Sequence, residues 1–147
     1  MKSKNNLVII DSNFILLPFQ FKIDYFLDIR QILEGKLKFI IFQQILDELE
    51  SKRRREQKAT KFKRFLESGL LYLEKSSEKY PIEIMEDVKN DFETTDDFLL
   101  KKANEFIIKG DNVYLATNDS KLRKKALNQH INTIFVRQKK YLSIDRA

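Results

Sequence analysis

The sequence predicts an α/β domain built on a parallel sheet, and three observations carry that prediction. Five short apolar runs, Leu7–Ile10, Leu37–Phe42, Ile82–Met85, Val113–Ala116 and Thr133–Val136, are mostly continuous rather than alternating, as strands covered on both faces are. Helical stretches separate them, so strands and helices take turns along the chain. Hydrophobic residues make up 42% of the 147, with 12 Phe among them, which is enough for one sizeable core.

The elements follow in order. The first strand stops at Asp11, and a short helical piece at Phe14–Leu17 comes next. Residues 24–34 carry Phe26, Ile29, Ile32 and Leu33 at helical spacing. After the second strand, residues 43–55 and 59–75 form a helical pair, the second striped by Phe62, Phe65, Leu66, Leu70 and Leu73. Residues 96–109 carry Leu99, Leu100, Ala103 and Ile107, and residues 120–128 form the last helix. Of the three glycines, Gly35, Gly69 and Gly110, two fit helix ends. With no internal repeat and no linker, residues 1–147 read as a single domain.

Composition narrows the function. Lys and Arg number 28 against 22 Asp and Glu, a net charge of +6 that favours an anionic partner, nucleic acid first and a membrane surface second. The absence of Cys excludes disulfides, thiolate zinc sites and Cys nucleophiles. His130 is the lone histidine, which leaves no His-rich metal site and no choice of His for a Ser-His-Asp triad. Neither GxGxxG nor GxxxxGK[ST] occurs, so a dinucleotide or P-loop site is not expected. The start, MKSKNNLVIID, has four apolar residues before a charge, too few for a signal peptide or a membrane span. The expectation is a soluble, cytoplasmic protein with no membrane partner.

In open parallel sheets, ligands sit outside the carboxyl ends of the strands, and acids recur there in this chain. Asp11 follows the first strand, and Asp47, Glu48 and Glu50 follow the second. Glu86 and Asp87 follow the third, Asp96 and Asp97 open the helix before the fourth, and Asp119 follows the fourth. Carboxylates gathered on one edge raise each other's pKa unless cations neutralise them. Hard cations with oxygen ligands, Mg²⁺ or Mn²⁺, suit such a set, and they activate water and steady the leaving oxygen of a phosphodiester. Each acid also has a plainer use: Asp119 and Asp11 as helix caps, and Asp97 in a capping box with Thr94.

Helical phase separates some of these. Asp96 shares a helix face with Leu99, Leu100 and Ala103, so it should point inward at the sheet edge. Asp97 lies beside Leu100, Lys101 and Asn104, on the rim, where it suits a cap or an outer contact to a metal. In the second cluster Ile45, Leu46 and Leu49 face the core, Asp47 points away, and the phase leaves Glu48 and Glu50 both open.

A first strand ending in Asp11, an ELE helix after the second strand, a TDD helix start, and LATND before a basic helix resemble a PIN-domain ribonuclease over nearly the whole chain. The layout of LATNDSKLRKKALNQHINTIFVRQKKYL is similar to small archaeal relatives of the ribosomal-RNA-processing PIN nucleases. The resemblance implies a three-layer fold with a five-stranded parallel sheet in the order 3-2-1-4-5. It implies a Mg²⁺ or Mn²⁺ site on Asp11, Glu48, Asp96 and Asp119, which selects Glu48 over Glu50, with Thr117 as a hydroxyl near the metal. It also implies metal-dependent cleavage of single-stranded RNA.

The basic stretches then acquire a use. Lys121, Arg123, Lys124 and Lys125 would hold the phosphate backbone next to Asp119. Ser51–Arg64 carries eight cations in 14 residues, among them Arg53, Arg54, Arg55 and Lys58, beside Glu48. A solvated helix face would need no such function, but an RNA-guiding surface accounts for the charge. Arg137 and Tyr141 are candidate contacts at the edge, and Phe62 and Phe65 fit a core better than base-stacking platforms. Three other readings stand beside this one. They are a VapC-like toxin ribonuclease held by an antitoxin, an inactive PIN-like RNA-binding scaffold, and a phosphate-receiver domain. The last wants paired acids after the first strand, where Asp11 stands alone. A second copy of the chain, an antitoxin or a ribosome-assembly factor would be the protein partners.

Overall fold

The first apolar run of the chain becomes the middle of the sheet. In the computed structural model, which describes residues 5–147, β1 (Asn5–Ile10) lies between β2 (Lys36–Phe42) and β4 (Asn112–Ala116), parallel to both. The first four residues of the MKSKNNLVIID start lie outside the described residues. β3 (Ile82–Met85) pairs outside β2, and β5 (Asn132–Arg137) outside β4, again in parallel. Central position explains the continuous apolar sequence: Val8, Ile9 and Ile10 have no solvent contact, and neither does Leu115 next door.

The expected order 3-2-1-4-5 holds, with one addition. β6 (Tyr141–Asp145) pairs antiparallel with β5, so the sheet has six strands rather than five, in the order β3-β2-β1-β4-β5-β6. This edge strand has no apolar run to betray it. In YLSID only Leu142 is buried, and Ser143 to Asp145 are half-buried.

Among the described residues, seven helices connect the strands. The piece expected at 14–17 is two short turns, α1 (Ser12–Ile15) and α2 (Leu17–Gln20), with Pro18 in the first turn of α2, where its missing N–H costs nothing. α3 (Tyr25–Ile32), α4 (Gln43–Arg55), α5 (Thr60–Ser76), α6 (Thr95–Ile108) and α7 (Ser120–Asn128) match the periodic segments to within a few residues. The parity of β2 assigns them to layers. Phe39 meets Phe26 of α3 at 4.6 Å between ring centroids, while Phe42, three residues on, meets Phe98 of α6 at 5.1 Å on the opposite face. The sheet is thus sandwiched between helical layers. Among the described residues no helix is long and apolar enough to cross a membrane.

Gly110 closes α6 with φ of 101°, while Gly35, with φ of 97°, lies past the extended end of α3 in the bend that leads into β2. The remaining glycine, Gly69, serves packing instead. It sits inside α5 where that helix crosses α1, and a Cβ there would fall 1.9 Å from the carbonyl oxygen of Ile15. The helical preference for Ala over Gly is worth about 1 kcal/mol. Overpacking costs about 1–3 kcal/mol, and here the obstacle is backbone, which cannot swing aside. With overpacking at its upper end and the helical gain set against it, the Gly69→Ala variant is expected to lose about 2 kcal/mol of stability in urea unfolding. An unchanged midpoint would mean that α5 does not rest on Ile15.

Candidate active site

The carboxyl edge of the sheet is set by register. Ile10 pairs with Ala116, so the residues that follow, Asp11 and Thr117, stand level. The ladder runs one step past each strand: the Asp11 N–H donates to the Ala116 carbonyl and the Thr117 N–H to the Ile134 carbonyl, both at 2.9 Å. Asp11 is 6% exposed and Thr117 is fully buried. A buried carboxylate needs donors, and Asp11 has three. Oδ1 accepts the Ser12 N–H at 2.8 Å, while Oδ2 accepts the Thr117 hydroxyl at 2.7 Å and the Asn13 side-chain amide at 3.1 Å.

Thr117 is a hub rather than a free hydroxyl. Its one proton goes to Asp11, and its oxygen accepts the Asp119 N–H at 3.1 Å and the Asn13 amide at 3.2 Å. It thereby positions the carboxylate it was expected to accompany. Asn13 and Asn118 do similar work and escape sequence reasoning, because a lone Asn at a strand end carries no periodic signal. Asn13 Oδ1 accepts the Asn118 N–H at 2.9 Å, and Asn118 Oδ1 accepts the Val136 N–H at 2.8 Å. Together they stitch the ends of β1, β4 and β5.

The other acids approach from the helices. Glu48 lies on α4, where its Oε1 accepts the Gln44 side-chain amide at 3.3 Å and the hydroxyl of Thr95. Thr95 opens α6, so that contact joins Glu48 to the helix start that holds Asp96. Glu50 is occupied elsewhere, 2.6 Å from the guanidinium of Arg53. Of the two glutamates the phase left open, Glu48 is the one turned toward the edge. Asp96 is half-buried and Asp97 exposed, as helical phase requires. The capping box is half made: Thr94 caps α6 by accepting the Asp97 N–H at 3.1 Å, while the Asp97 carboxylate lies 3.9 Å from Lys125. Asp119 caps α7 and accepts the N–H groups of Lys121 at 2.9 Å and Leu122 at 3.2 Å. Asp87, the acid after β3, is taken by Lys102 at 2.7 Å.

The acids near the edge feel one another. Burial pushes Asp11 above the usual carboxylate range, the hydrogen bonds from Thr117 and Ser12 pull the other way, and Asp96 and Asp119 push it further up. Burial also raises Asp96, followed by Asp119; Lys125 opposes this, and Asp97 and Glu48 add to it. The four predicted acids therefore share one electrostatic neighbourhood. Among the described residues, no three Asp, Glu or His side chains close into a preformed ligand shell. The donors are nonetheless hard oxygens around one buried carboxylate that burial disfavours as an anion, which fits a divalent cation. Mg²⁺ in particular binds through one or two carboxylates and keeps several waters.

The cations divide into free and committed. Arg54, Arg55 and Lys58 are exposed along the α4–α5 connection, as are Lys121 and Lys124 on α7, while Lys125 is exposed but faces Asp97. A cleft of about 600 Å³ runs from Glu48 along Ser51, Lys52, Arg55 and Phe62. Phe62 packs against the core and carries the Lys52 ammonium 4.6 Å from its ring centroid. Two expected phosphate contacts are engaged within the protein. Arg123 stacks its guanidinium 3.5 Å above the centre of Phe135 and reaches Asp145 at 3.4 Å, because α7 packs on β5 there. Arg53 is held by Glu50, one helical turn before it.

Sequence and structure comparisons agree with this geometry. Residues 8–139 match the family described as "PIN like domain". Ribonuclease VapC4 of Methanocaldococcus jannaschii is 30% identical over 142 residues, covering 93% of this chain and 95% of that protein. The PIN domain endonuclease Utp24 has a similar structure, with a TM-score of 0.65 and 22% identity over 96% of this chain and 92% of that one, a likeness of fold. The chain belongs to the PIN-like domain family.

A folded-state pKa raised above the usual value means that the folded protein binds that proton more tightly than the unfolded chain does. Ionisation of Asp11 therefore opposes folding above the usual carboxylate range, and the penalty fades as pH falls back through that range. For metal-free protein at pH 7, Asp11→Asn is expected to raise the melting temperature by a few degrees, with the gain shrinking toward pH 4. Added Mn²⁺ should stabilise the wild type and not the variant. Scanning calorimetry at both pH values checks this, and an equal Mn²⁺ shift in the two proteins would remove Asp11 from the metal site.

Proposed function

We propose that this chain is a metal-dependent endoribonuclease that hydrolyses phosphodiester bonds of single-stranded RNA in the cytoplasm. The observation that carries the reading is the buried Asp11 carboxylate, held at the sheet edge by Thr117 and Asn13 with Asp96 and Asp119 close enough to disfavour its charge. Asp11, Glu48, Asp96 and Asp119 would hold Mg²⁺ or Mn²⁺, with Asp97 in an outer position. When bound, such an ion lowers the pKa of an attacking water and steadies the leaving oxygen. The chain's own residues position these groups. Thr117 and Asn13 orient Asp11, Thr95 orients Glu48, and the α7 N–H groups hold one oxygen of Asp119. The basic surfaces on α4–α5 and α7 suit a polyanion, and the ribonuclease name of the 30% identical relative supports RNA.

Two cellular roles fit this chemistry. The layout shared with the ribosomal-RNA-processing nucleases favours a step in ribosomal RNA maturation, with a ribosome-assembly factor as partner. The VapC4 relative supports the other role, a toxin restrained by an antitoxin. Growth arrest on expression alone, relieved by a neighbouring gene product, would select the toxin.

Incubation with short single-stranded RNA, with and without Mn²⁺, tests the activity. Cleavage is expected only with metal, and Asp11→Asn should abolish it. Asp96→Asn should reduce cleavage more than Asp97→Asn, since Asp96 is the acid turned inward. Undiminished cleavage by Asp11→Asn would overturn the assignment, and the reverse ranking of the two α6 variants would exchange their roles.

Exposed cations on the α4–α5 arm give a second test. Replacing Arg54 and Arg55 with Ala should weaken binding of all single-stranded RNAs alike, because phosphate contacts carry no base information. The slope of log K against log salt should fall by roughly 0.7 for each phosphate no longer held, about 1.4 for the pair. A slope equal to the wild type's would return the arm to a solvated helix pair.

A further inference from the structure

We propose that the turn between β5 and β6, from Arg137 to Tyr141, is a second wall of the substrate path. In it Arg137, Lys139 and Lys140 hold phosphates of a single strand, and Tyr141 offers its ring to a base. This rests on the ribonuclease reading for the nature of the ligand.

Topology puts the turn in the right place. β5 runs parallel to β4 and β1, so Arg137 emerges at the same edge as Asp11 and Asp119. Neighbouring strands are roughly 4.8 Å apart, which sets the end of β5 on the order of 10 Å across the edge from the end of β1. The α4–α5 arm follows β2, on the opposite side of β1. A strand laid across the acids from the arm would next meet this turn.

The turn is also tied to the site. Its root at Val136 is bonded to Asn118, Asn118 to Asn13, and Asn13 to Asp11 Oδ2, at 2.8, 2.9 and 3.1 Å. Three consecutive hydrogen bonds thus hold the turn at a fixed distance from the buried carboxylate.

Its chemistry makes poor sense as a mere connection. The Lys140 N–H donates to the Arg137 carbonyl at 3.1 Å, and both residues between them are left-handed, Gln138 at φ 54° and Lys139 at φ 56°. Hairpin turns of that shape favour Asn and Gly, and this one has neither. All five residues from Arg137 to Tyr141 are exposed. Among the described residues no carboxylate pairs with Arg137, Lys139 or Lys140, in contrast to Arg53 and Arg123. Strain and unbalanced charge retained together on an exposed turn beside a site are the mark of a functional segment. Tyr141 stands opposite Arg137 in the strand register and is 46% exposed. Arg137 lies 5.6 Å from the ring centre of Phe135, on the rim of that contact, and Lys139 and Lys140 stand clear of it. Exposed cations beside an exposed aromatic ring form the platform that single-stranded nucleic acid prefers. Lysines also guard sheet edges against pairing with other chains, and the experiment separates that role from this one.

The test is binding of a labelled single-stranded RNA to the full chain in EDTA, where metal-dependent cleavage cannot contribute. The Lys139→Ala/Lys140→Ala protein should lose about 1.4 from the slope of log K against log salt. Tyr141→Ala should weaken single-stranded RNA about tenfold and leave a duplex of equal length unaffected, since paired bases cannot reach the ring. Lys139→Gly relaxes the backbone and removes a cation, so its melting temperature should rise while its RNA affinity falls. An unchanged slope in the double variant overturns the proposal, and so does Lys139→Gly with raised stability and full affinity, the result expected of an edge guard. A wild type that cleaves nothing with Mn²⁺, yet binds RNA through the turn, supports the wall and sinks the nuclease reading. A wild type that binds no single-stranded RNA overturns both.

Discussion

The carboxyl edge of the sheet depends on one buried carboxyl group. Asp11 sits at the end of the central strand, nearly sealed from solvent, and its negative charge is tolerable only because Ser12, Asn13 and Thr117 each donate to it. The pairing of Ile10 with Ala116 brings Thr117 level with it, so the strand register and the site are one constraint. A slip of one residue would turn Asp11 to the other face and leave Thr117 without its acceptor. The neighbouring carboxylates aggravate the problem that burial creates. Burial and like charge both disfavour ionisation here, and a cation would relieve both.

Around this point the fold separates charges of opposite use. Acids gather at the sheet edge, and cations occupy the surfaces beside it. The overall charge of +6 conceals that division. It also conceals which cations are available. Arg53 and Arg123 are spent on Glu50 and on Phe135 with Asp145, contacts that hold α4 and α7 in shape. The exposed cations of the α4–α5 connection and of the β5–β6 turn stand on opposite sides of the acids.

Packing away from the edge sets where those surfaces stand. α5 can lie against α1 because Gly69 presents no side chain to the Ile15 carbonyl. Ile15 is four residues beyond Asp11, so this close approach places the basic arm relative to the buried carboxylate. On the far side, Asn118 performs the equivalent task for β5. A core contact and a polar bridge thus fix both basic surfaces relative to Asp11.

The sequence by itself determined the parallel sheet, the order of its elements and the inward phase of Asp96. Each rests on local periodicity: buried parallel strands are apolar throughout, and a helix repeats its face every three or four residues. The strand-end acids were legible for the same reason, because a carboxylate after an apolar run is conspicuous. Selection of Glu48 came only from resemblance; the structure turns it to the hydroxyl of Thr95 at the start of α6. Tertiary structure alone decided the rest. β6 has a single buried residue of its own to announce it and exists because β5 offers an edge. Asn13 and Asn118 act on groups about a hundred residues away or across strands, and Arg123 is withdrawn from the surface by an aromatic ring on another element. Such roles are set by what lies opposite in space, and a residue's sequence neighbours carry no record of that.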